Sequence, residues 1–135
     1  MNMVEPKLHG LRVLVVEDSF LVAKSISDIL SDLGCQVVGP FNNSADAVGV
    51  VDAGGCDAAV LDVNLGGETS EPVADDLSTR GLPFLFVTSY TSPALLAPKY
   101  AAWPRVHKPL SRDALSDALV KSVRNRGLHG SSDAP

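Results

Sequence analysis

The sequence predicts an α/β fold in which a doubly wound, five-stranded parallel sheet is covered by helices on both faces. Apolar runs alternate with helical patterns five times along 135 residues, as in an open parallel sheet. Runs such as Val13–Val16 and Ala58–Leu61 are continuously apolar, which is typical of parallel strands buried on both faces. With 45% hydrophobic and 20% charged residues, the chain has the composition of a globular domain with a substantial core.

Five short apolar segments are predicted as strands. They are Arg12–Val16, Gln36–Pro40, Asp57–Leu61, Pro83–Val87 and Arg105–His107. The two cysteines, Cys35 and Cys56, stand close to the starts of the second and third strands, and we expect both to be buried and unreactive. Two cysteines provide neither a disulfide framework nor a metal cluster, which fits a reducing, cytoplasmic location.

Helices are predicted between the strands. The first has apolar residues at the helical spacing of about 3.6 residues, with Ser19 as its cap and Gly34 after its end. The second begins at a cap on Ser44 and runs to about Ala53, and the third follows Ser70. The last spans Ser111 to about Arg126.

The segment from Ser92 to Pro104 departs from this alternation. Three prolines interrupt it, so the fourth helix of the fold is expected to be short, distorted or missing. Tyr100 and Trp103 are expected to pack in this rebuilt region. Residues 1–10 and 127–135 are predicted to be flexible ends, which leaves residues 11–126 as one domain.

Composition also argues against several classes of protein. Sixteen acidic residues against eleven basic ones give a net charge of −5, whereas a nucleic-acid-binding surface is normally basic. The sequence has no apolar run near the ~20 residues that span a bilayer. The first residues lack the basic and then apolar layout of a signal peptide.

Polar side chains stand at the carboxyl ends of four predicted strands. They are Glu17, Asp18, Asp62, Thr88 and Lys108. Because ligands bind beyond the carboxyl ends of strands in such sheets, we expect these side chains to converge at one edge. Three nearby carboxylates repel one another unless a cation lies between them, and oxygen ligands with open positions suit Mg²⁺.

These residues also suit phosphoryl transfer. Asp62 is predicted to be the nucleophile that forms an acyl phosphate. Mg²⁺ and Lys108 would neutralise the phosphoryl oxygens, and the Thr88 hydroxyl would donate to one of them. The small side chain of Ser89 would leave the approach to Asp62 open.

Four motifs together resemble the receiver domain of two-component response regulators, over residues 11 to about 125. They are the runs at residues 13–19, 60–65, 87–89 and 107–110, which read VLVVEDS, VLDVNL, VTS and HKPL. The resemblance implies a flavodoxin-like sheet of order 2-1-3-4-5 and phosphorylation by a histidine kinase or phosphotransferase. It also implies Mg²⁺, or Mn²⁺ in its place, held by Asp18, Asp62 and the Asn64 backbone carbonyl, with Glu17 acting through water.

A narrower resemblance concerns residues 83–90, PFLFVTSY, which are similar to the signature of the stand-alone "FAT GUY" receivers of alphaproteobacteria. Val87 and Ser89 differ from that signature. In the wider family a switch aromatic precedes the lysine by three residues, and here that position is Arg105. We expect its guanidinium to lie in water over the edge of the sheet.

The function expected from these features is that of a single-domain response regulator in a Mg²⁺-dependent phosphorelay. It would not be a turnover enzyme, and it would signal through an unknown downstream protein, as a monomer or weak dimer, without nucleic acid or membrane. One alternative is a pseudo-receiver that is never phosphorylated. Another is a haloacid-dehalogenase-type phosphatase, although Asn64 stands where those enzymes carry a general acid.

Overall fold

The computed structural model describes residues 8–89 and 97–133, with side chains to residue 124. Its elements, in chain order, are β1 (Arg12–Val16), α1 (Phe20–Asp32), β2 (Gln36–Phe41), α2 (Ser44–Asp52), β3 (Ala58–Asp62), α3 (Glu71–Thr79), β4 (Phe84–Thr88), a 3₁₀ turn (Pro98–Tyr100), β5 (Arg105–His107) and α4 (Arg112–Asp133). The five strands are parallel and lie in the order β2-β1-β3-β4-β5. The predicted fold class and strand order are confirmed.

The sheet separates two hydrophobic layers, because alternate residues of each central strand point to opposite faces. Leu14 of β1 and Leu61 of β3 face the layer that holds α2 and α3. Val15 of β1 and Val60 of β3 face the layer that holds α1 and α4. All five residues of both β3 and β4 are buried, as their continuously apolar runs predict. Cys35 and Cys56 are buried as expected.

The residue that caps α1 is the one predicted from the sequence, whereas the residue that caps α2 is not. Ser19 caps α1, its Oγ accepting from the Val22 N–H at 3.4 Å. The cap of α2 is Asn43 rather than the predicted Ser44, because the Asn43 Oδ1 accepts from the Asp46 N–H at 2.8 Å. Ser44 is instead buried and donates to the Thr69 carbonyl at 2.9 Å.

Both ends of the domain extend beyond the predicted boundaries. Leu8 is 2% exposed and belongs to the core, and the Gly10 N–H donates to the Gly34 carbonyl at 2.7 Å, so residues 8–10 pack against the fold rather than lying outside it. Helix α4 continues through Asp133, past the expected end at Arg126. Glycine and serine lower helix propensity in that stretch but do not break the backbone ladder as proline does.

Between β4 and β5, the described residues form one 3₁₀ turn in place of a helix, as the prolines predict. Tyr100 is buried, and Trp103 stacks on Phe84 with ring centroids 5.1 Å apart. The Arg105 guanidinium does not lie free in water as predicted. It donates to the carbonyls of Tyr100, at 2.7 Å, and Ala101, at 3.0 Å, because the chain folds back beneath it.

In the part of the chain that the structure describes, helices long and apolar enough to cross a membrane are absent.

Candidate functional site

An open cleft of about 210 Å³ lies at the carboxyl ends of the strands. Its walls come from the loops that follow β1, β3, β4 and β5, as the convergence of the strand ends predicts. Its lining residues are Glu17, Asp18, Ser19, Asp62, Val63, Asn64, Gly66, Thr88, Ser89 and Lys108. All the predicted site residues therefore meet in one cleft.

Asp62 is the last residue of β3, and its side chain is only 4% exposed. Its Oδ2 lies 3.5 Å from the Lys108 Nζ, and its Oδ1 accepts from the Asn64 N–H at 3.4 Å. Burial raises the pKa of Asp62, while Lys108 opposes the rise. The residue is a buried carboxylate with one weak cationic partner and an opening towards the cleft.

Glu17 is more enclosed still, with a side chain that is 0% exposed. Its Oε2 accepts from the Ser19 N–H at 3.0 Å. Its Oε1 lies 3.4 Å from the Lys108 Nζ but makes no hydrogen bond within the described part of the chain. Burial, assisted by the nearby charge of Asp62, raises the pKa of Glu17 to about 7. A buried carboxylate oxygen that lacks a donor is the kind of atom that a cation or a bound water satisfies.

Glu17, Asp18 and Asp62 each offer an oxygen within 4.8 Å of the others, so the three could share one cation. Asp18 is exposed at the mouth of the cleft, whereas the other two are buried. Hard oxygen ligands on one open side match the way in which Mg²⁺ keeps several waters. The donor set, together with the unsatisfied Glu17 oxygen, therefore fits a divalent cation.

Lys108 and Thr88 form the opposite wall. Lys108 follows β5, and its N–H donates to the Thr88 carbonyl at 2.9 Å, which fixes the start of the lysine side chain beside β4. Its ammonium lies between Glu17 and Asp62, closer than 4 Å to both. The Thr88 hydroxyl donates to the Ser89 carbonyl at 3.2 Å, so in this state it is turned towards its own backbone.

The loop after β3 contributes a residue that the sequence interpretation missed. Gly66 lines the cleft beside Asp18. Its N–H donates to the Asn64 Oδ1 at 2.9 Å. The glycine pair at 66–67 was visible in the sequence as a turn, but its approach to Asp18 depends on how β1 and β3 are paired.

A family model described as the response regulator receiver domain matches residues 13–120. Among curated proteins, the transcriptional regulatory protein YpdB of Escherichia coli K12 is 25% identical over 114 residues, covering 82% of this chain and 47% of the relative. The chain thus spans about half the length of the curated relatives it matches.

Two solved structures are similar over most of their own length. SdrG from Sphingomonas melonis Fr1 is 37% identical with a TM-score of 0.77, covering 84% of this chain and 97% of SdrG. The receiver domain of a modulated diguanylate cyclase from Desulfovibrio desulfuricans G20 is 27% identical with a TM-score of 0.78, covering 89% of this chain and 98% of that domain.

Proposed function

Because this chain belongs to the response regulator receiver family of two-component systems, we propose that it is a phosphorylatable switch whose acceptor is Asp62. The observation that carries the proposal is the environment of this carboxylate. Asp62 is buried beside a lysine and two further carboxylates, and it faces an open cleft. A purely structural aspartate at a strand end needs neither the excess negative charge nor the opening.

In the proposed reaction, an Asp62 carboxylate oxygen attacks the phosphorus of a phosphodonor. The bond between the phosphorus and the donor's leaving group breaks, and an acyl phosphate forms on Asp62. Lys108, 3.5 Å from Asp62, is placed to neutralise charge on the phosphoryl oxygens. The Thr88 hydroxyl would exchange its bond to the Ser89 carbonyl for a phosphoryl oxygen.

We assign the Mg²⁺ site, which Mn²⁺ could also fill, to the side chains of Asp18 and Asp62 and the Asn64 carbonyl, with Glu17 acting through water. When bound, the ion supplies positive charge to the phosphoryl oxygens. The 4.8 Å cluster of carboxylate oxygens supports this assignment, as does the buried Glu17 oxygen that lacks a donor. Lys108 alone offsets one of three negative charges, so a divalent ion brings the cluster close to neutrality.

The partners we propose are a histidine kinase or phosphotransferase as donor and a downstream protein that responds to the phosphorylated form, in a cytoplasmic phosphorelay. Phe20 and Leu21 support a protein partner near the cleft. They stand at the start of α1, next to Ser19 of the cleft wall, and are 78% and 76% exposed. Large apolar side chains so exposed commonly belong to interaction surfaces.

We also propose that the chain is a receiver of the "FAT GUY" subgroup. The PFLFVTSY motif supports this placement. Two of its aromatic residues, Phe84 and Phe86, pack edge-on against Tyr100. In the described part of the chain, this cluster packs the 3₁₀ turn of Pro98–Tyr100 against β4, so the aromatic residues of the motif help to hold that turn on the sheet.

The test is phosphorylation by acetyl phosphate with and without Mg²⁺, followed by intact-mass spectrometry. We expect one phosphoryl group per wild-type chain in Mg²⁺ and almost none after chelation. The Asp62→Asn variant should remain unmodified. Asp28→Asn is the matched control, because Asp28 is an exposed aspartate paired with Lys24 on α1, and it should be modified as wild type.

Wild-type protein that stays unmodified by acetyl phosphate, and also by a panel of phosphorylated histidine phosphotransferases, would support the pseudo-receiver instead. Steady turnover of an organic phosphate ester would point to a phosphatase. Asn64, whose side chain is engaged with the Gly66 N–H, offers no general acid for that reaction.

A further inference from the structure

The loop after β3 passes close to the exposed carboxylate of the proposed metal site. We infer that Gly66 is a positioning residue for Asp18: the missing side chain at residue 66 lets the Asp18 carboxylate turn towards Asp62 and Glu17, and so sets the affinity for the divalent cation. This inference rests on the proposed function, since it concerns the same cleft.

The contact between Gly66 and Asp18 leaves no space for a side chain. A Cβ built on Gly66 would lie 2.8 Å from the Asp18 Oδ2, closer than Cβ atoms approach their neighbours in proteins. Gly66 also has a φ of +76°, a conformation that residues with a side chain rarely adopt. An alanine at this position would therefore displace either the loop or the Asp18 carboxylate.

The loop cannot easily be the part that moves, because several hydrogen bonds hold it. The Asn64 side chain accepts from the Gly66 N–H at 2.9 Å, and the Asn64 N–H donates to Asp62 at 3.4 Å. The Leu65 N–H donates to the Glu68 carbonyl at 2.8 Å, and Asn64 forms a β-bridge with Thr69. Asp18, by contrast, is exposed, so its side chain is free to rotate away from the cluster.

A rotated Asp18 would leave the cation with one carboxylate fewer. Residues that orient metal ligands typically change metal affinity by about tenfold to hundredfold when they are mutated. We expect a loss of this size for Gly66→Ala. The loss would arise from steric contact with Asp18 and not from the backbone conformation alone.

The chain provides a matched control for the backbone conformation. Gly81, at the end of α3, has a φ of +70°, and a Cβ built on it would meet nothing within 4 Å. Gly66→Ala and Gly81→Ala thus impose similar backbone strain, but only the first creates a contact with Asp18. Both should lower the melting temperature, and only Gly66→Ala should weaken metal binding.

The experiment is isothermal titration of the full chain with Mg²⁺, free of phosphodonor, for wild type and both variants. The inference predicts a Kd for Gly66→Ala that is about tenfold to hundredfold above wild type, and an unchanged Kd for Gly81→Ala. Equal Kd values for Gly66→Ala and wild type would overturn the inference while leaving the proposed function intact. A wild-type chain that binds no Mg²⁺ would overturn both.

A second measurement covers the case in which Gly66→Ala folds poorly. Thermal melts start at low temperature, where a destabilised variant is still folded, and compare each variant with and without Mg²⁺. The rise in melting temperature that Mg²⁺ produces should be smaller for Gly66→Ala than for Gly81→Ala. An equal rise in both variants would contradict the inference.

Discussion

Strand β3 has an aspartate at each end, and the two lie in opposite electrostatic environments. Asp57, just before the strand, accepts three hydrogen bonds from Arg12, one from its N–H at 2.9 Å and two from its guanidinium at 3.1 and 2.8 Å. Asp62, at the other end, has one lysine at 3.5 Å and shares a 4.8 Å cluster with two more carboxylates. Asp57 is thus paired with an arginine at one edge of the sheet, whereas at the other edge three carboxylates lie near one lysine.

Arginines also pair with other carboxylates near the Asp57 edge. Arg80, which directly follows α3, pairs with Asp52 of α2 at 2.8 Å and with Asp76 at 3.3 Å. Such half-exposed pairs contribute little to stability individually. They do place an arginine nitrogen within 3.3 Å of Asp52, Asp57 and Asp76, although Arg80 alone serves two of these carboxylates. The functional edge is therefore marked by buried carboxylates that face an open cleft beside a single lysine, and not by the presence of acidic residues alone.

The largest difference we expect between the two edges is in their response to Mg²⁺. The ion should bind only the Asp62 edge of the folded chain, so it should raise the free energy of unfolding by about 2.7 kcal/mol at a hundred times its Kd. Asp18→Asn should abolish the increase, and Asp28→Asn, an exposed aspartate of α1, should not. Thermal melts with and without millimolar Mg²⁺ measure this. If Mg²⁺ does not change the melting temperature of the wild-type chain, the two edges do not differ in cation binding.

The next effect is a dependence of metal-free stability on pH. The pKa of Glu17 is about 7 in the folded chain against 4.5 for an unperturbed glutamate, so the folded chain holds this proton more tightly. The contribution of Glu17 to stability is therefore complete below pH 4.5 and is lost as the pH rises through about 7. We expect a loss of about 2 kcal/mol, with Asp62, whose pKa is also raised, acting in the same direction.

Urea unfolding between pH 4.5 and 8 in the presence of a chelator tests this expectation. Glu17→Gln should flatten most of the slope. The pKa of Asp52 is lowered by its hydrogen bond with Asp76 and by Arg80, and that of Asp75 is lowered by its bonds to Lys99 and Tyr100, so their contribution is lost only as the pH falls below about 3.8. The pKa of Asp76 is raised by the hydrogen bond with Asp52 and acts in the same direction as Glu17, so Asp76→Asn is measured alongside. A wild-type slope that survives in Glu17→Gln would assign the effect to other groups.

The smallest effect is the change in stability on substituting Asp57, just before β3, and Asp62, at its end. Asp57→Asn should slightly lower the metal-free free energy of unfolding, since the Arg12 guanidinium loses its charged partner. Asp62→Asn should raise it by about 1 kcal/mol, since it relieves repulsion within the acidic cluster. Urea unfolding of both variants at pH 7.5 in a chelator gives the two values. Changes of the same sign would mean that Asp62 is an ordinary structural aspartate.

Much of the fold follows from local sequence patterns. The bounds of Arg12–Val16 and Arg105–His107 are the same in the prediction and in the structure, because apolar runs and flanking polar residues mark them sharply. The convergence of Asp62, Thr88 and Lys108 was predictable as well. Parallel strands end at one edge of a sheet, so residues that follow their carboxyl ends must meet there.

Other features depend on contacts between distant segments. Asn43 and Ser44 are both good capping residues. The Ser44 hydroxyl donates to the carbonyl of Thr69, which is distant in the sequence, and Asn43 is the residue that caps α2. The acceptors of the Arg105 guanidinium are the carbonyls of Tyr100 and Ala101, so they depend on the path of the chain after the 3₁₀ turn. The contact between Gly66 and Asp18 likewise depends on how the loop after β3 is placed beside the end of β1.

The most direct test of the account is to identify which aspartate carries the phosphoryl group. Wild-type chain phosphorylated in Mg²⁺ would be treated with borohydride, which reduces an acyl phosphate to an alcohol, and then digested for peptide mass spectrometry. We expect homoserine in place of Asp62 and unmodified Asp57 in the same digest. Homoserine at position 57 or 18, or 5-hydroxynorvaline (the alcohol formed from a glutamyl phosphate) at position 17, with Asp62 intact, would contradict it.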